Sequence, residues 1–100
     1  MPVVTTQSPD KQETTIKVSG RFDYDIVQDF RKAYTDKDPN NQFIVDLSET
    51  NYLDSSALGM LIHLWKFTGQ DRNKIQIINC NAEIKKIFDI THFERNFIIK

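Results

Sequence analysis

Apolar and polar positions change period several times along the chain, and each change marks an element. Thr14 to Ser19 alternates and is rich in β-branched residues, which predicts a strand ended by Gly20. Val3 to Thr6 is a weaker strand that can pair with it as a hairpin across the polar stretch Gln7 to Gln12. From Asp25 to Asp36 the period becomes helical: Ile26, Val27, Phe30, Ala33 and Tyr34 fall on one face, with Asp23 or Asp25 as the N-cap. Lys37 to Asn41 closes that helix with breaker residues. Gln42 to Leu47 is a nearly continuous apolar run, expected as a central strand buried on both faces or nearly so. Ser48 to Asp54 reads as a polar loop interrupted by Tyr52 and Leu53. A hydrophobic helix follows from Ser55 or Ser56 to Thr68, with Gly69 to Asn73 as its C-cap and loop. Lys74 to Asn79 is a second core strand, Ala82 to Ile90 a third helix, and Phe97 to Ile99 a last short strand. The order is β-β-α-β-α-β-α-β. Strands alternating with helices imply parallel pairs joined by right-handed crossovers, with one face of the sheet better covered than the other.

Composition narrows this to one small soluble domain, residues 1–100. A chain of 100 residues carries one core, and two would each be too small to be stable. Thirteen Lys and Arg against fourteen Asp and Glu give a net charge of −1, so nucleic-acid binding has no electrostatic support. No apolar run is long enough to span a membrane, and the N-terminus lacks the charged and apolar regions of a signal peptide. The single Cys80 cannot form an internal disulfide, which makes a reducing cytoplasm the default compartment.

Candidate chemistry is sparse. His63 and His92 have no Cys, Asp or His at metal-ligand spacing on their own helices, so no metal is expected. Cys80 has no flanking cation to lower its pKa and reads as a small buried hydrophobe. Three glycines, at 20, 59 and 69, cannot make a phosphate loop. Asp23, Asp25, Asp46 and Asp54 lie near loop ends, but capping accounts for Asp23 and Asp54 more simply than catalysis does. Neither an enzymatic activity nor a cofactor is expected.

The informative segment is Asp54 to Phe67. Stepping about 100° per residue, Ser56, Gly59, His63 and Lys66 cluster within about 80°, and apolar side chains fill roughly 220°. A helix lying on a sheet needs an apolar stripe of little more than 100°. The edges of the surplus are Met60, Leu64 and Phe67 on one side and Ile62 on the other. Either neighbouring helices cover both flanks, or one flank is a protein-binding surface. At the start of the helix, any of Asp54, Ser55 and Ser56 can cap a free N–H. A helix N-terminus also tolerates phosphate, so a phosphoserine there would place −1.5 to −2 charges beside the apolar flank and repel a partner.

Val45-Asp46-Leu47, then Tyr52-Leu53-Asp54-Ser55-Ser56-Ala57-Leu58-Gly59-Met60-Leu61, resembles the signature of STAS-domain anti-sigma factor antagonists. Gly20-Arg21-Phe22-Asp23 resembles their earlier G-x-[FL]-D motif. The resemblance runs from about Thr14 to Phe97 and is nearest to stand-alone gammaproteobacterial members. It implies the STAS fold, a small mixed sheet with helices mainly on one face. It also implies a partner switch. The dephosphorylated antagonist binds an anti-sigma factor, often a GHKL-type serine kinase, and frees the sigma factor. Phosphorylation blocks binding, and a PP2C-type phosphatase, commonly on a response regulator, restores it. By position, Ser55 is the phosphoacceptor. Asp54 and Ser56 flank it, Gly59 keeps the helix surface low beside it, Met60 lies on the partner-binding flank, and Asp23 lies in a neighbouring loop that helps form the partner surface. Ala57 stands where many members have Gly, and the chain stops at Lys100 without the C-terminal helix that many members add.

Two other functions compete. A STAS module sensing a nucleotide or lipid requires a pocket near the strand ends at Leu47 and Asn79. A structural subunit would use the apolar helix to make a homodimer.

Overall fold

A computed structural model describes residues 1–100. The elements follow the order the sequence predicts: β1 (Val3–Gln7), β2 (Glu13–Phe22), α1 (Val27–Thr35), β3 (Gln42–Leu53), α2 (Ser55–Phe67), β4 (Ile75–Ile78), α3 (Ala82–Thr91) and β5 (Ile98–Ile99). A single sheet runs β1-β2-β3-β4-β5, with β1 antiparallel to β2 and every later pair parallel. Because each parallel step is a β-α-β crossover of one hand and the strands follow in sequence order, all three helices fall on the same face. Ile16, Val18, Val45, Leu47, Ile75 and Ile77 project from the sheet into one apolar cluster with side chains of α1, α2 and α3. Three rings link α1 to β2: Phe30 lies 5.1 Å from Phe22 and 6.0 Å from Tyr34.

Four expectations need correction. Gln42 to Leu47 is not buried on both faces. Phe43, Val45 and Leu47 point into the core, while Ile44 and Asp46 are half-exposed on the open face. With helices on one side only, nothing covers the other.

β2 does not stop at Gly20. It continues to Phe22, with Gly20 at φ +81°, a left-handed conformation that glycine adopts without steric cost. Nor is Ser48 to Asp54 a loop, because β3 runs on to Leu53. The reason lies in the pairing with β2. Lys17 faces Asp46 but Ser19 faces Glu49, and Gly20 faces Thr50 but Arg21 faces Tyr52. β3 therefore carries an extra residue at each of two bulges, and its buried positions become Leu47, Thr50 and Leu53, three apart instead of two. That spacing hides the strand from a period-two reading. The first helix also starts later than expected, after a 3₁₀ turn at Tyr24–Ile26 that Asp23 caps.

The surplus apolar surface of α2 is largely absorbed by the fold. Met60 is 5% exposed and Leu64 is fully buried. Leu58, Ile62, Trp65 and Phe67 are half-buried and packed against the core. Of the two readings left open by the sequence, coverage by neighbours is the one met at Met60 and Leu64.

Candidate functional site

The bulged end of β3, the central strand, delivers Asp54 and Ser55 to the C-terminal end of the sheet beside the end of β2. Phe22 and Leu53 are paired, and the Asp54 amide donates to the Phe22 carbonyl at 3.4 Å. This register brings together two segments about thirty residues apart, Gly20 to Asp23 and Tyr52 to Gly59. A buried cross-link fixes it from below: the Thr50 hydroxyl donates to the Val18 carbonyl at 2.7 Å.

Asp54 is the N-cap of α2. Its carboxylate accepts from the Ser56 amide at 3.0 Å and the Ala57 amide at 3.3 Å. The sequence left three candidates for the cap, and the structure chooses one. Ser55 is consequently free: it is the first helical residue and is exposed. A phosphate on Ser55 would not find the amides of Ser56 and Ala57 open, since Asp54 already holds them. The added charge would instead stand in solvent next to a carboxylate.

Asp23 also works as a cap. One carboxylate oxygen accepts from the Asp25 amide at 3.0 Å and the other meets Arg21 Nε at 3.1 Å. Ser56 is half-buried and Gly59 is exposed. A Cβ placed on Gly59 would meet nothing of this chain within 4 Å. Glycine inside a helix costs about 1 kcal/mol relative to alanine, and no internal packing requires it here. Met60 is the residue the structure moves away from this surface: it is buried and reaches the outside only as a wall of the groove between α1 and α2.

Sequence reasoning missed a contact beside these residues. Arg21 stacks over the Tyr52 ring with 3.9 Å from guanidinium carbon to ring centre. Tyr52 is 39% exposed and Tyr24 72% exposed. Arg21 and Tyr52 belong to the two segments that meet beside Ser55, and Tyr24 follows the first of them in the turn that Asp23 caps, so this end of the molecule carries aromatic and arginine side chains of the kind enriched in protein interfaces. The pairing of Arg21 with Tyr52 could be found only once the bulged register was known.

Elsewhere the chemistry is quiet. No three His, Cys, Asp or Glu side chains gather as metal ligands. Burial pushes the Cys80 thiol up, away from the reactive thiolate. Burial likewise acts to raise Asp46, but hydrogen bonds from Ser48 and Asn79 and the charge of Lys17 outweigh it, and the carboxyl lies below its ordinary value. The pocket that nucleotide or lipid sensing would need near Leu47 and Asn79 is not there. The two concavities lie between α1 and α2, and among polar residues around Gln12 and Asp38. No helix is long and apolar enough to cross a membrane.

The family described as "Mlab, STAS domain" matches residues 5–100. A STAS-domain-containing protein of Pseudomonas aeruginosa is 43% identical over 100 residues, covering 99% of each chain. An anti-sigma-B factor antagonist of Staphylococcus aureus is 27% identical over 78 residues, 76% of this chain and 72% of that one. The fold is shared with the Bacillus cell fate determinant SpoIIAA in its phosphorylated form, at a TM-score of 0.67 and 13% identity over 98% of this chain and 90% of that chain.

Proposed function

The chain belongs to the STAS-domain family, and from that membership we propose that it is an anti-sigma factor antagonist acting by partner switching. In this reading the unphosphorylated protein binds an anti-sigma factor, or a GHKL-type serine kinase that serves as one, and so releases a sigma factor. Phosphorylation of Ser55 blocks the complex. A PP2C-type phosphatase, alone or on a response regulator, reverses the block. The chain acts as a cytoplasmic binding protein and catalyses nothing itself.

The observation that carries this reading is the free, exposed Ser55 hydroxyl at the head of a helix whose cap is already supplied by Asp54. A serine that caps cannot be modified without loosening the helix, whereas Ser55 can be. Phosphate adds −1.5 to −2 charges at pH 7, against a net charge of −1 for the whole chain. That charge falls beside Asp54 and close to Asp23, where a partner's surface must be desolvated. Repulsion and desolvation then weaken the complex without any change of fold. Gly59 supports the same surface: its missing side chain leaves space that nothing in this chain uses. Asp23, Asp54 and Ser56 contribute their exposed edges to the interface, and Met60 supports it from beneath.

The test is affinity capture from a lysate of the source organism, with wild-type, Ser55→Ala and Ser55→Asp baits and identification of the retained proteins. An anti-sigma factor should be held by the wild type and Ser55→Ala and released by Ser55→Asp. Equal retention by all three, or retention of no anti-sigma factor, would overturn the assignment.

A further inference from the structure

The groove between α1 and α2 has a volume of about 330 Å³. Its walls are Val27, Phe30, Tyr34, Met60 and Phe67, and its polar rim is Arg31, Thr35 and His63. An apolar cavity of about 150 Å³ holds one benzene ring, so this groove has room for about a dozen carbon atoms. Its charge is one-sided. None of the lining residues is acidic. Arg31 is exposed and takes part in none of the ion pairs of the protein, which engage Lys17, Arg21, Lys37, Lys85 and His92. Asp29, the one acid on α1, lies about 160° around the helix from Arg31. The Arg31 charge reaches into the groove: burial pushes the Tyr34 phenol up, and Arg31 opposes that push.

An apolar trough with an unpaired cation on its rim is complementary to one kind of molecule. We propose that this groove binds a single-chain amphiphile with a carboxylate head, its tail between Phe30, Tyr34 and Met60 and its head on Arg31. The tail gains by leaving water, and the head supplies the counter-ion that Arg31 lacks within the chain. The site does not require the Ser55 switch: it needs no phosphate, its head contact is Arg31, and Met60 is the one residue it shares with the partner surface. It is also distinct from the expected pocket near Leu47 and Asn79.

The experiment is an NMR titration of the full chain with decanoate, with decanol and with decyltrimethylammonium, each below its micelle-forming or solubility limit. Decanoate should give saturable shifts centred on Val27, Phe30 and Met60. It should bind about tenfold more tightly than the cationic analogue, as expected for a charge-assisted contact. Arg31→Gln, a change at an exposed position that leaves the fold intact, should erase that preference while decanol binding stays the same. Absence of saturable shifts with decanoate, shifts centred elsewhere, or an unchanged preference in Arg31→Gln would each overturn the proposal. Shifts at the same residues that grow with protein concentration alone would mean that a second copy fills the groove, and would overturn it too.

Discussion

The amide of Asp54 donates to the carbonyl of Phe22, one step past the last paired residues of β2 and β3. The same residue caps α2 through its carboxylate. Backbone and side chain of Asp54 therefore hold the strand end and the helix start together. Asp54→Ala should lower stability by about 1 kcal/mol, the usual loss for an N-cap, and Asp54→Asn should restore most of it. Urea denaturation of the three proteins measures this directly.

Ser55→Asp should leave the fold alone. A carboxylate at the first helical position is favoured by the helix dipole, by about 0.3–1 kcal/mol, and opposed by the nearby Asp54 charge. The two effects nearly cancel, so unfolding free energy should stay within about 0.5 kcal/mol of wild type. A loss of several kcal/mol would mean that modification acts by melting the helix, not by charging its surface.

Position around α2 should decide the cost of truncation. Leu61 is fully buried, whereas its neighbour Ile62 is half-buried. Leu61→Ala should cost about 2–5 kcal/mol. Ile62→Ala should cost less than half as much, because water already reaches part of its side chain. Comparable losses at the two positions would show that the Ile62 flank of α2 is as closed as its centre.

The indole Nε1 of Trp65 is buried and has no hydrogen-bond acceptor. A buried donor without a partner costs about 1–3 kcal/mol. Trp65→Phe removes that donor and keeps most of the ring's packing. Its thermal midpoint should equal or exceed that of the wild type, while Trp65→Ala should unfold at a clearly lower temperature.

Asp46 should shape the acid limb of stability. Its folded-state pKa lies below the ordinary 3.8, because hydrogen bonds from Ser48 and Asn79 and the Lys17 charge outweigh burial. A depressed carboxylate stabilises the folded state fully above the unfolded pKa. That contribution is lost as pH falls through the folded value. Asp46→Ala should therefore be less stable than wild type at neutral pH, and the gap should narrow once the pH drops below that ordinary value. Urea midpoints measured across the acid range check the sign.

Much of this protein was written plainly in local pattern. The β-branched alternation from Thr14, the helical spacing of Ile26 to Tyr34 and the apolar run into Leu47 announce their elements, because each obeys the period of the structure it forms. The Asp54-Ser55-Ser56 junction was legible for the same reason, since caps are local. The second half of β3 was not. Its buried residues Leu47, Thr50 and Leu53 follow two bulges, and a bulge is set by the strand alongside.

The sequence by itself determined the order of elements, the one-sided sheet and a serine at the head of an apolar helix. All of these follow from periodicity and capping, which act over a few residues. The tertiary structure decided which of three residues caps α2, which side chains of that helix reach solvent, and that Arg21 meets Tyr52 beside Ser55. Those outcomes depend on register and on what packs against what. Both are settled between segments some thirty residues apart, where no local period reaches.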